Sequence, residues 1–306
     1  MPLHINTPLI DSSPMRGGDG QRVWLKMEAL QPPGSFKIRG IGHACEEYVR
    51  RGARRFISSS GGNAGIAAAF AGLRLGVPVV VVVPETTTER AKDLIRRERA
   101  EVIVHGASWK EAHALAQSMM QEHDAFIHPF DDALIWTGHA SMIDEVAQAG
   151  LVPDAVLLSV GGGGLMCGVI EGLRRHHWGH VPVIAVETQG ADSLSQSMAA
   201  GALVELPAIT SIATSLGARR VAEQAFAWTT QHPVRSVVVS DRQAIEGCLR
   251  FMDDHRMVVE PACGAALAVL YSHPRELAGY RQVLVIVCGG ATASVSQLQG
   301  WRSAYT

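Results

Sequence analysis

The sequence predicts an α/β protein with two lobes, each an open, twisted and mostly parallel sheet flanked by helices. Short apolar segments rich in β-branched residues alternate with helical segments rich in Ala, Leu and Arg, as in βαβ units. The strand segments are apolar throughout, which is typical of parallel sheets covered by helices on both faces. The alternation breaks near Pro129–Asp132, which divides it into two series.

The predicted elements follow in chain order. We assign strands to short runs of Val, Ile, Leu or Phe, namely Phe56–Ser58, Pro78–Val83, Val102–His105, Ala155–Val160, Val183–Val186, Ser236–Val239 and Gln282–Val287. A further short apolar segment is Phe126–His128. Helices are predicted at Ala64–Leu75, Thr88–Arg99, Trp109–His123, Ile135–Ala149, Leu165–Arg175, Arg242–His255 and Gly264–Tyr271.

Length and composition are those of a compact globular protein. The chain has 306 residues, of which 47% are hydrophobic and 18% are charged. We predict a large domain formed by residues 1–33 and 135–306, and a small domain formed by residues 34–134. Ligands of open α/β sheets bind beyond the carboxyl ends of the strands, so we expect the functional site in the cleft between the lobes.

Charge and cysteine content exclude several classes of function. The net charge is −2 and the pI is near 6.7, which favours neither nucleic acid nor an anionic membrane as a partner. Met1–Asn6 lacks the features of a secretory signal, and apolar runs such as Val77–Val83 are too short to span a membrane. The five cysteines have no CxxC spacing, which predicts free thiols in the cytoplasm and no zinc site.

Lysine is scarce, which narrows the search for an amine nucleophile. The 27 basic residues include only Lys26, Lys37, Lys92 and Lys110 as lysines. The others are arginines, whose guanidinium stays protonated and is a poor imine former. Lys37 lies in Gly34–Gly40, where glycines flank Phe36, Lys37 and Arg39 just before a helix. Burial in a cleft leaves part of such a lysine unprotonated and nucleophilic; the alternative is a surface lysine at a helix start.

A run of glycines, Gly161–Gly164, follows the strand Ala155–Val160 and precedes a helix that we expect to begin at Leu165. Without Cβ atoms, such a loop turns its backbone N–H groups inward beside a helix N-terminus, where an anion such as phosphate binds. The alternative is a tight turn, which requires only one or two glycines. The spacing fits neither a Walker loop nor a dinucleotide-binding fingerprint.

Two more segments follow strand ends. Ser58–Gly65 begins a helix, and its hydroxyls, backbone N–H groups and the amide of Asn63 suit a carboxylate or a phenolate-like oxygen. The alternative is that Ser and Asn simply cap the helix. Cys288-Gly289-Gly290 comes directly after an apolar strand, which directs the thiol into the cleft, although a buried Cys is usually a small core residue.

Taken in order, the four segments resemble the serine/threonine dehydratase branch of the pyridoxal-phosphate (PLP)-dependent β-family, the tryptophan-synthase-like fold group. The resemblance covers essentially the whole chain. It is strongest to the animal-liver type of L-serine dehydratase, in which the phosphate loop is a glycine tetrad and a cysteine faces the pyridine nitrogen. Four further segments belong to it: Pro129–Asp132, Gly138–Ala140, Val186–Thr188 and Glu260–Ala266. It implies PLP in the cleft, an amino-acid substrate and a homodimer.

The resemblance also implies roles for single residues. Lys37 takes the place of the Schiff-base lysine, Phe36 of the ring that packs on the pyridine, and Asn63 of the donor to the 3′ oxygen of the cofactor. Cys288 stands where the family places the neighbour of the pyridine nitrogen. The phosphate is expected at Gly161, Gly162, Gly163 and Gly164, with a further backbone N–H from Leu165.

The resemblance places the substrate carboxylate at Ser60, Gly61, Gly62 and Asn63. Gly61 departs from the family, in which Ala or Ser is common. Glycine gives the loop more freedom and leaves space beside the substrate, so we expect modest serine turnover and a higher serine kcat in Gly61→Ala. The alternative is a positive φ at Gly61, where alanine is strained.

A cation site is a further family feature. Glu187, backbone carbonyls near Ala191 and the hydroxyl of Ser193 match its position. Relatives that take Mg²⁺ or Ca²⁺ commonly have Asp where Ser193 stands, and one carboxylate with neutral oxygens suits K⁺ better than a divalent ion. The alternative for Glu187 is a solvated carboxylate at a strand end.

The activity implied is the elimination of water and ammonia from L-serine to give pyruvate, with slower conversion of L-threonine to 2-oxobutanoate. In this mechanism the substrate amine displaces Lys37, the freed lysine removes the Cα proton, and the β-hydroxyl leaves as water. The neutral thiol of Cys288 leaves the ring nitrogen unprotonated, and a short-lived carbanion suits the loss of a β-group.

Other hypotheses stay open. A threonine-preferring dehydratase and a serine racemase share this fold, and racemases also use a neutral partner. A cysteine or threonine synthase is disfavoured because the chain reads Ser-Phe-Lys-Ile-Arg-Gly rather than Ser-Val-Lys-Asp-Arg. A non-catalytic regulator that binds PLP or an amino acid is disfavoured by the intact Lys37 and Asn63.

Overall fold

The computed structural model describes residues 1–15, 20–272 and 274–305. Strands and helices are numbered in chain order. The strands are β1 (Leu9–Asp11), β2 (Arg22–Lys26), β3 (Arg55–Ser58), β4 (Val79–Val83), β5 (Glu101–Val104), β6 (Asp124–Phe126), β7 (Ala155–Ser159), β8 (Val183–Thr188), β9 (Val234–Val239) and β10 (Gln282–Ile286). The helices are α1 (Lys37–Arg50), α2 (Asn63–Leu75), α3 (Glu89–Arg97), α4 (Trp109–Ser118), α5 (Ala133–Gln148), α6 (Gly164–Arg175), α7 (Ser193–Ala200), α8 (Glu223–Gln231), α9 (Asp241–His255), α10 (Pro261–Ser272) and α11 (Val295–Ala304).

These strands form two sheets. One sheet has six strands in the order β1-β2-β10-β7-β8-β9, and the other has four in the order β5-β4-β3-β6. The pairing is parallel throughout, except that β1 runs antiparallel to β2. The prediction of an α/β fold with two mostly parallel sheets is therefore confirmed.

The central strands are apolar because helices cover both faces of each sheet. β4 consists of five valines, all buried, and β7 and β8 are buried along their whole length. Burial of each such side chain stabilises the fold by about 1.5–3 kcal/mol relative to exposure. The alanine-rich helix α2 packs against the four-stranded sheet, where Ala67 and Ala68 are fully buried beside Phe56.

The sequence pattern does not predict the first two strands or several of the helices. β2 reads Arg-Val-Trp-Leu-Lys, and its terminal charges hide a strand that pairs with β10 along its full length. The helices α7, α8 and α11 also go unassigned in the sequence analysis. α1 begins at Lys37 itself, whereas the sequence analysis places the Gly34–Gly40 segment before the helix.

Three buried charged side chains and the partly buried Glu145 join α1 to the rest of the protein. Arg39 donates to Glu28 at 2.6 and 2.8 Å and to Glu145 at 2.7 and 2.8 Å. Lys26 donates to the carbonyl of Thr7 at 2.6 Å and forms an ion pair with Glu145. We call Lys26, Glu28, Arg39 and Glu145 the buried charge network. Because Arg39 lies two residues after Lys37, the network fixes the start of α1.

Three further features bear on the sequence predictions. All five cysteines are buried and unpaired, as predicted. Within the described residues, no helix is long and apolar enough to cross a bilayer. The strands β3 to β6 all fall within residues 34–134, although the domain boundaries themselves stay a prediction.

Candidate active site

Lys37 is the first residue of α1, and its amine lies in an enclosed environment. The Nζ atom donates to the carbonyl of Pro129 at 2.6 Å and lies 5.1 Å from the ring centroid of Phe36. Burial lowers the pKa of Lys37 to about 8, against the opposing effects of Cys288 and Glu260. The neutral, nucleophilic fraction of this amine near neutral pH is therefore far larger than that of an ordinary lysine.

The loop before Lys37 is hydrogen-bonded to the loop after β10. The N–H of Phe36 donates to the carbonyl of Cys288 at 3.0 Å, and the N–H of Gly290 donates to the carbonyl of Gly34 at 3.1 Å. Ser35 and Gly289 form a β-bridge between these two bonds. The lysine and the cysteine segments, which are far apart in the sequence, are thus held side by side.

The turn that accepts the hydrogen bond of Lys37 is itself fixed by a histidine that the sequence analysis does not single out. His128 Nδ1 accepts the N–H groups of Phe130 at 3.2 Å and Asp131 at 2.7 Å. Burial, followed by the charge of Lys37, lowers the pKa of His128 to about 4, so the ring is a neutral acceptor. The carbonyl of Pro129 therefore stays in place beside the amine.

Phe36 packs on a second neutral histidine. Its ring centroid lies 4.8 Å from that of His139, with a tilt of 55°. His139 is fully buried, and burial holds its pKa well below the usual value. Neither ring nitrogen of His139 has a hydrogen-bond partner among the described residues. The neutral His139 ring thus packs directly against the Phe36 ring.

The glycine tetrad Gly161–Gly164 is a backbone cradle with no room for side chains. A Cβ on Gly162 would lie 2.3 Å from the ring of Phe130, and one on Gly163 would lie 2.3 Å from Ala225. Gly163 also has a φ of 90°, which favours glycine. α6 begins at Gly164, the last residue of the tetrad, and its second residue is the buried Leu165. A loop of bare backbone at a helix N-terminus fits a phosphate group.

Asn63 begins α2 and is oriented by a buried carboxylate. Its Nδ2 donates to Glu260 Oε1 at 2.7 Å, while Glu260 Oε2 accepts the hydroxyl of Thr292 at 2.7 Å. The Oδ1 atom of Asn63 is buried and has no hydrogen-bond partner among the described residues. Since an amide nitrogen carries two hydrogens, one donor remains for a ligand.

Glu260 is the residue that the sequence analysis missed, although it lies in the quoted segment Glu260–Ala266. It is 4% exposed and directly precedes α10, whose first residue is Pro261. Burial raises the pKa of Glu260, while Thr292, Ser215 and Asn63 stabilise the carboxylate. The sequence does contain a sign of this role, because Glu260 stands between an apolar segment and an apolar helix. A carboxylate buried in such a place needs hydrogen-bond partners.

Cys288 is buried at the end of the segment that follows β10. A hydrogen bond with Cys263 and burial raise the pKa of the Cys288 thiol well above its usual value. The side chain is therefore a neutral thiol, as the sequence analysis expects. It carries no negative charge with which to stabilise a protonated ring nitrogen.

The loop Ser60–Asn63 lies between β3 and α2. The N–H of Gly62 donates to the hydroxyl of Ser60 at 3.4 Å, and behind the loop Ser59 Oγ pairs with His113 Nδ1 at 3.0 Å. A Cβ on Gly62 would meet open space. The space beside Gly61 is instead filled, contrary to the expectation from sequence, and its φ lies outside the left-handed region.

The predicted cation residues lie at the end of β8, in the turn that follows it and at the start of α7. Both carboxylate oxygens of Glu187 accept backbone N–H groups, from Leu194 at 2.8 Å and Ser195 at 2.7 Å. Ser193 Oγ donates to a backbone carbonyl at 3.0 Å, and Ala191 lies in the turn between β8 and α7. Burial raises the pKa of Glu187 to about 8. The alternative of a solvated carboxylate is wrong, because Glu187 is fully buried.

A nucleophilic lysine, a backbone cradle for phosphate and an amide donor between two parallel sheets define a cofactor-dependent enzyme. The chain belongs to the pyridoxal-phosphate dependent enzyme family, which matches residues 1–289. The L-serine dehydratase/L-threonine deaminase of Homo sapiens is 46% identical, over 98% of this chain and 95% of that protein. The L-serine dehydratase of Dictyostelium discoideum is 41% identical, over 97% and 91% respectively.

A solved structure is similar along the whole chain. The fungal L-serine ammonia-lyase from Rhizomucor miehei has a TM-score of 0.95 and 36% identity, and the match covers 100% of both chains. Maize serine racemase, at 24% identity and a TM-score of 0.87, shares the fold.

The residues present fit PLP. The cradle of Gly161–Gly164 excludes side chains, the amine of Lys37 has a lowered pKa, and Asn63 keeps one amide hydrogen free of the bond to Glu260. Phe36 offers an aromatic ring supported from behind. These are the groups that a phosphate, an aldehyde and a phenolic oxygen on a flat ring require.

Proposed function

We propose that this protein is a PLP-dependent L-serine ammonia-lyase, which converts L-serine to pyruvate and ammonia and L-threonine more slowly to 2-oxobutanoate. The observation that carries the proposal is the amine of Lys37, whose pKa of about 8 makes it both a nucleophile and a base. The names and high coverage of the curated relatives support serine and threonine as substrates.

The proposed cofactor contacts are supported by the geometry of the site and by the family resemblance. The tetrad Gly161–Gly164 and the N–H of Leu165 would hold the phosphate, and Phe36 would pack on the ring. Asn63 would donate to the phenolic oxygen, and Cys288 would be the neighbour of the pyridine nitrogen. The chemistry that PLP supplies when bound is an electron sink for a carbanion at Cα.

Lys37 is proposed to act twice. Its amine would hold the cofactor, and once freed by the substrate amine it would accept the proton from Cα. The carbonyl of Pro129, 2.6 Å from Nζ, orients the amine through a hydrogen bond. Cα loses a proton and the β-carbon loses hydroxide, which leaves as water after protonation; hydrolysis of the enamine product then gives pyruvate and ammonia.

The substrate carboxylate is proposed to bind Ser60, Gly61, Gly62 and Asn63, at the N-terminus of α2, where the helix dipole favours negative charge. Cys288 favours elimination over transamination, because a neutral thiol does not stabilise a long-lived carbanion. Racemisation is the second candidate, since it also needs only a brief carbanion. The elimination of a β-hydroxyl and the inversion of Cα differ in their products.

Three finer points belong to the proposal. A monovalent cation, K⁺, is proposed to bind near Glu187, Ala191 and Ser193, which lie between the end of β8 and the start of α7. The family resemblance supports a homodimer. The five free thiols support a reducing, cytoplasmic compartment.

The test is an absorbance spectrum of the purified protein, followed by addition of L-serine with pyruvate detection. The proposal expects a PLP band and the formation of pyruvate and ammonia in equal amounts. L-threonine should give 2-oxobutanoate at a lower rate. Formation of D-serine without pyruvate would establish the racemase instead, and a PLP band with neither product would establish a binding protein.

A further inference from the structure

Gly61 faces a wall rather than open space. A Cβ built on it would lie 2.7 Å from Thr87 Cγ2, 2.8 Å from Thr87 Oγ1 and 3.2 Å from Val83 Cγ1. The φ of Gly61 lies outside the left-handed region, so the backbone itself accepts any residue. The neighbour Thr87, and not the backbone conformation, is what requires glycine at position 61.

Thr87 cannot easily withdraw from this contact. Both branches of its Cβ lie near the same point. Because only one substituent of that Cβ is a hydrogen, each staggered rotamer keeps at least one branch facing Gly61. Its backbone is held in the turn between β4 and α3, where its N–H donates to the carbonyl of Pro84 at 3.0 Å. On the α3 side, Thr88 caps the helix by accepting the N–H of Ala91 at 3.3 Å.

We propose that Thr87 is a positioning residue, which braces the loop Ser60–Asn63 by filling the volume that a side chain at position 61 would occupy. The inference rests on the proposed function, in which this loop binds the substrate carboxylate. The loop is open on the side of Gly62 and supported on the side of Gly61. Thr87 thereby sets where the carboxylate sits relative to Lys37, and Gly61 and Thr87 form a matched pair.

The experiment is a double-mutant cycle with Thr87→Ala, Gly61→Ala and the combination, each loaded with PLP. Thr87→Ala removes the brace and is expected to raise the KM for L-serine about fivefold, with a smaller effect on kcat. In Gly61→Ala alone, the new methyl group pushes the loop away from Thr87, so we expect KM to rise and kcat to fall. In the double variant, the added methyl group fills the volume that Thr87 has vacated. The effects of substitutions at contacting residues are not additive, so the KM of the double variant should lie within about twofold of the wild-type value.

Two variants separate bracing from other roles of Thr87. Thr87→Val keeps both branches of the side chain and loses only the hydroxyl group, so this variant should have the same KM as the wild type. The neighbouring Thr86 is exposed, and Thr86→Ala serves as the matched control with unchanged kinetics. A KM raised as much by Thr87→Val as by Thr87→Ala would show that the hydroxyl, and not the shape, is what matters, and would overturn the proposal.

A second readout does not depend on serine turnover. The thermal midpoints of the wild type, the two single variants and the double variant, each loaded with PLP, give the same cycle. The midpoint of the double variant should fall by less than the sum of the two single decreases. Additive effects in both KM and thermal midpoint would overturn the matched pair. Absence of serine turnover in the wild type refutes the proposed function instead, while the thermal cycle still decides whether Gly61 and Thr87 compete for one volume.

Discussion

Lys26 and Lys37 differ in the groups that their amines contact. Lys26 lies in the buried charge network, where it contacts Glu145 and lies 3.9 Å from Glu28. Lys37 has no carboxylate within ion-pair distance among the described residues, and its amine donates to the carbonyl of Pro129. Burial lowers the pKa of both amines, and at Lys26 the two carboxylates oppose it. The comparison teaches that carboxylates in direct contact tie a lysine amine into the structure, whereas an amine outside ion-pair distance of the described carboxylates is available for reaction.

The strongest test of this comparison replaces Lys37. Lys37→Ala should abolish serine turnover and the absorbance of lysine-bound PLP near the visible edge, because Lys26 and Lys92 each contact a carboxylate and Lys110 is exposed. Borohydride reduction followed by peptide mapping identifies the lysine directly. An adduct on Lys26, Lys92 or Lys110 would refute the assignment, and the exposed Lys110 provides a matched Ala control.

Replacement of Lys26 should affect stability instead. Lys26→Met leaves the partly buried Glu145 and the buried Glu28 with one cation fewer, and breaking a buried ion pair costs about 3–5 kcal/mol. Chemical denaturation measures the loss, and the folded protein should keep its PLP absorbance. A normal free energy of unfolding with a lost PLP band would reverse the roles that we give to the two lysines.

Glu260 sharpens the comparison, because it is the carboxylate near Lys37 that binds Asn63 instead. Glu260→Gln keeps an acceptor for one partner but brings an amide hydrogen toward the other, so Asn63 or Thr292 loses its orientation. We expect kcat for serine to fall roughly tenfold and the PLP absorbance maximum to shift, as small misplacements near reacting atoms are costly. Thr292→Val, which removes a single hydrogen bond, is the milder comparison. An unchanged spectrum in Glu260→Gln would show that Asn63 needs no such support.

The lowered pKa of Lys37 also predicts the pH dependence of cofactor binding. Only the neutral amine attacks an aldehyde, and with a pKa of about 8 roughly one tenth of it is neutral at pH 7. The rate at which the apoenzyme takes up PLP should therefore rise as the pH increases through 8 and then level off. Stopped-flow absorbance checks this, and a rate that keeps rising to pH 10 would mean an ordinary lysine.

The smallest expected effect concerns the cation. If K⁺ binds near Glu187, the thermal midpoint should climb with K⁺ concentration more than with Na⁺, Mg²⁺ or a bulky organic cation at matched ionic strength. A ligand at about 100 times its Kd stabilises the folded state by about 2.7 kcal/mol. Glu187→Ala should remove this response; equal responses to all the cations in the wild type would exclude a specific site.

The sequence predicts what depends on local patterns and misses what depends on distant partners. The strands β4, β7 and β8 are continuous apolar runs, and the glycine tetrad is visible because it needs no neighbour to be recognised. β2 is hidden because the charge of Lys26 is neutralised by Glu145, which lies far along the chain. Glu260 gains its role only through its bond to Asn63.

Gly61 shows the same limit in a sharper form. From sequence, glycine means freedom and space, and both expectations follow from the missing Cβ. In the structure, the side chain of Thr87, which belongs to a different turn, occupies the space beside Gly61 where a Cβ atom would lie. No pattern within Ser60–Asn63 reveals that neighbour, so the expected effect of Gly61→Ala changes sign once the contact is known.

The order of strands has a consequence for how the protein is made. β10, near the C-terminal end of the sequence, lies between β2 and β7 in the middle of the six-stranded sheet. Until it leaves the ribosome, β2 and β7 carry unpaired edges that invite aggregation, and such distant pairings close slowly. The segment after β10 also holds the loop before Lys37 in place. A nascent chain therefore acquires its reactive lysine only after β10 has been made, and a chain cut before Gln282 should neither close the sheet nor capture the cofactor.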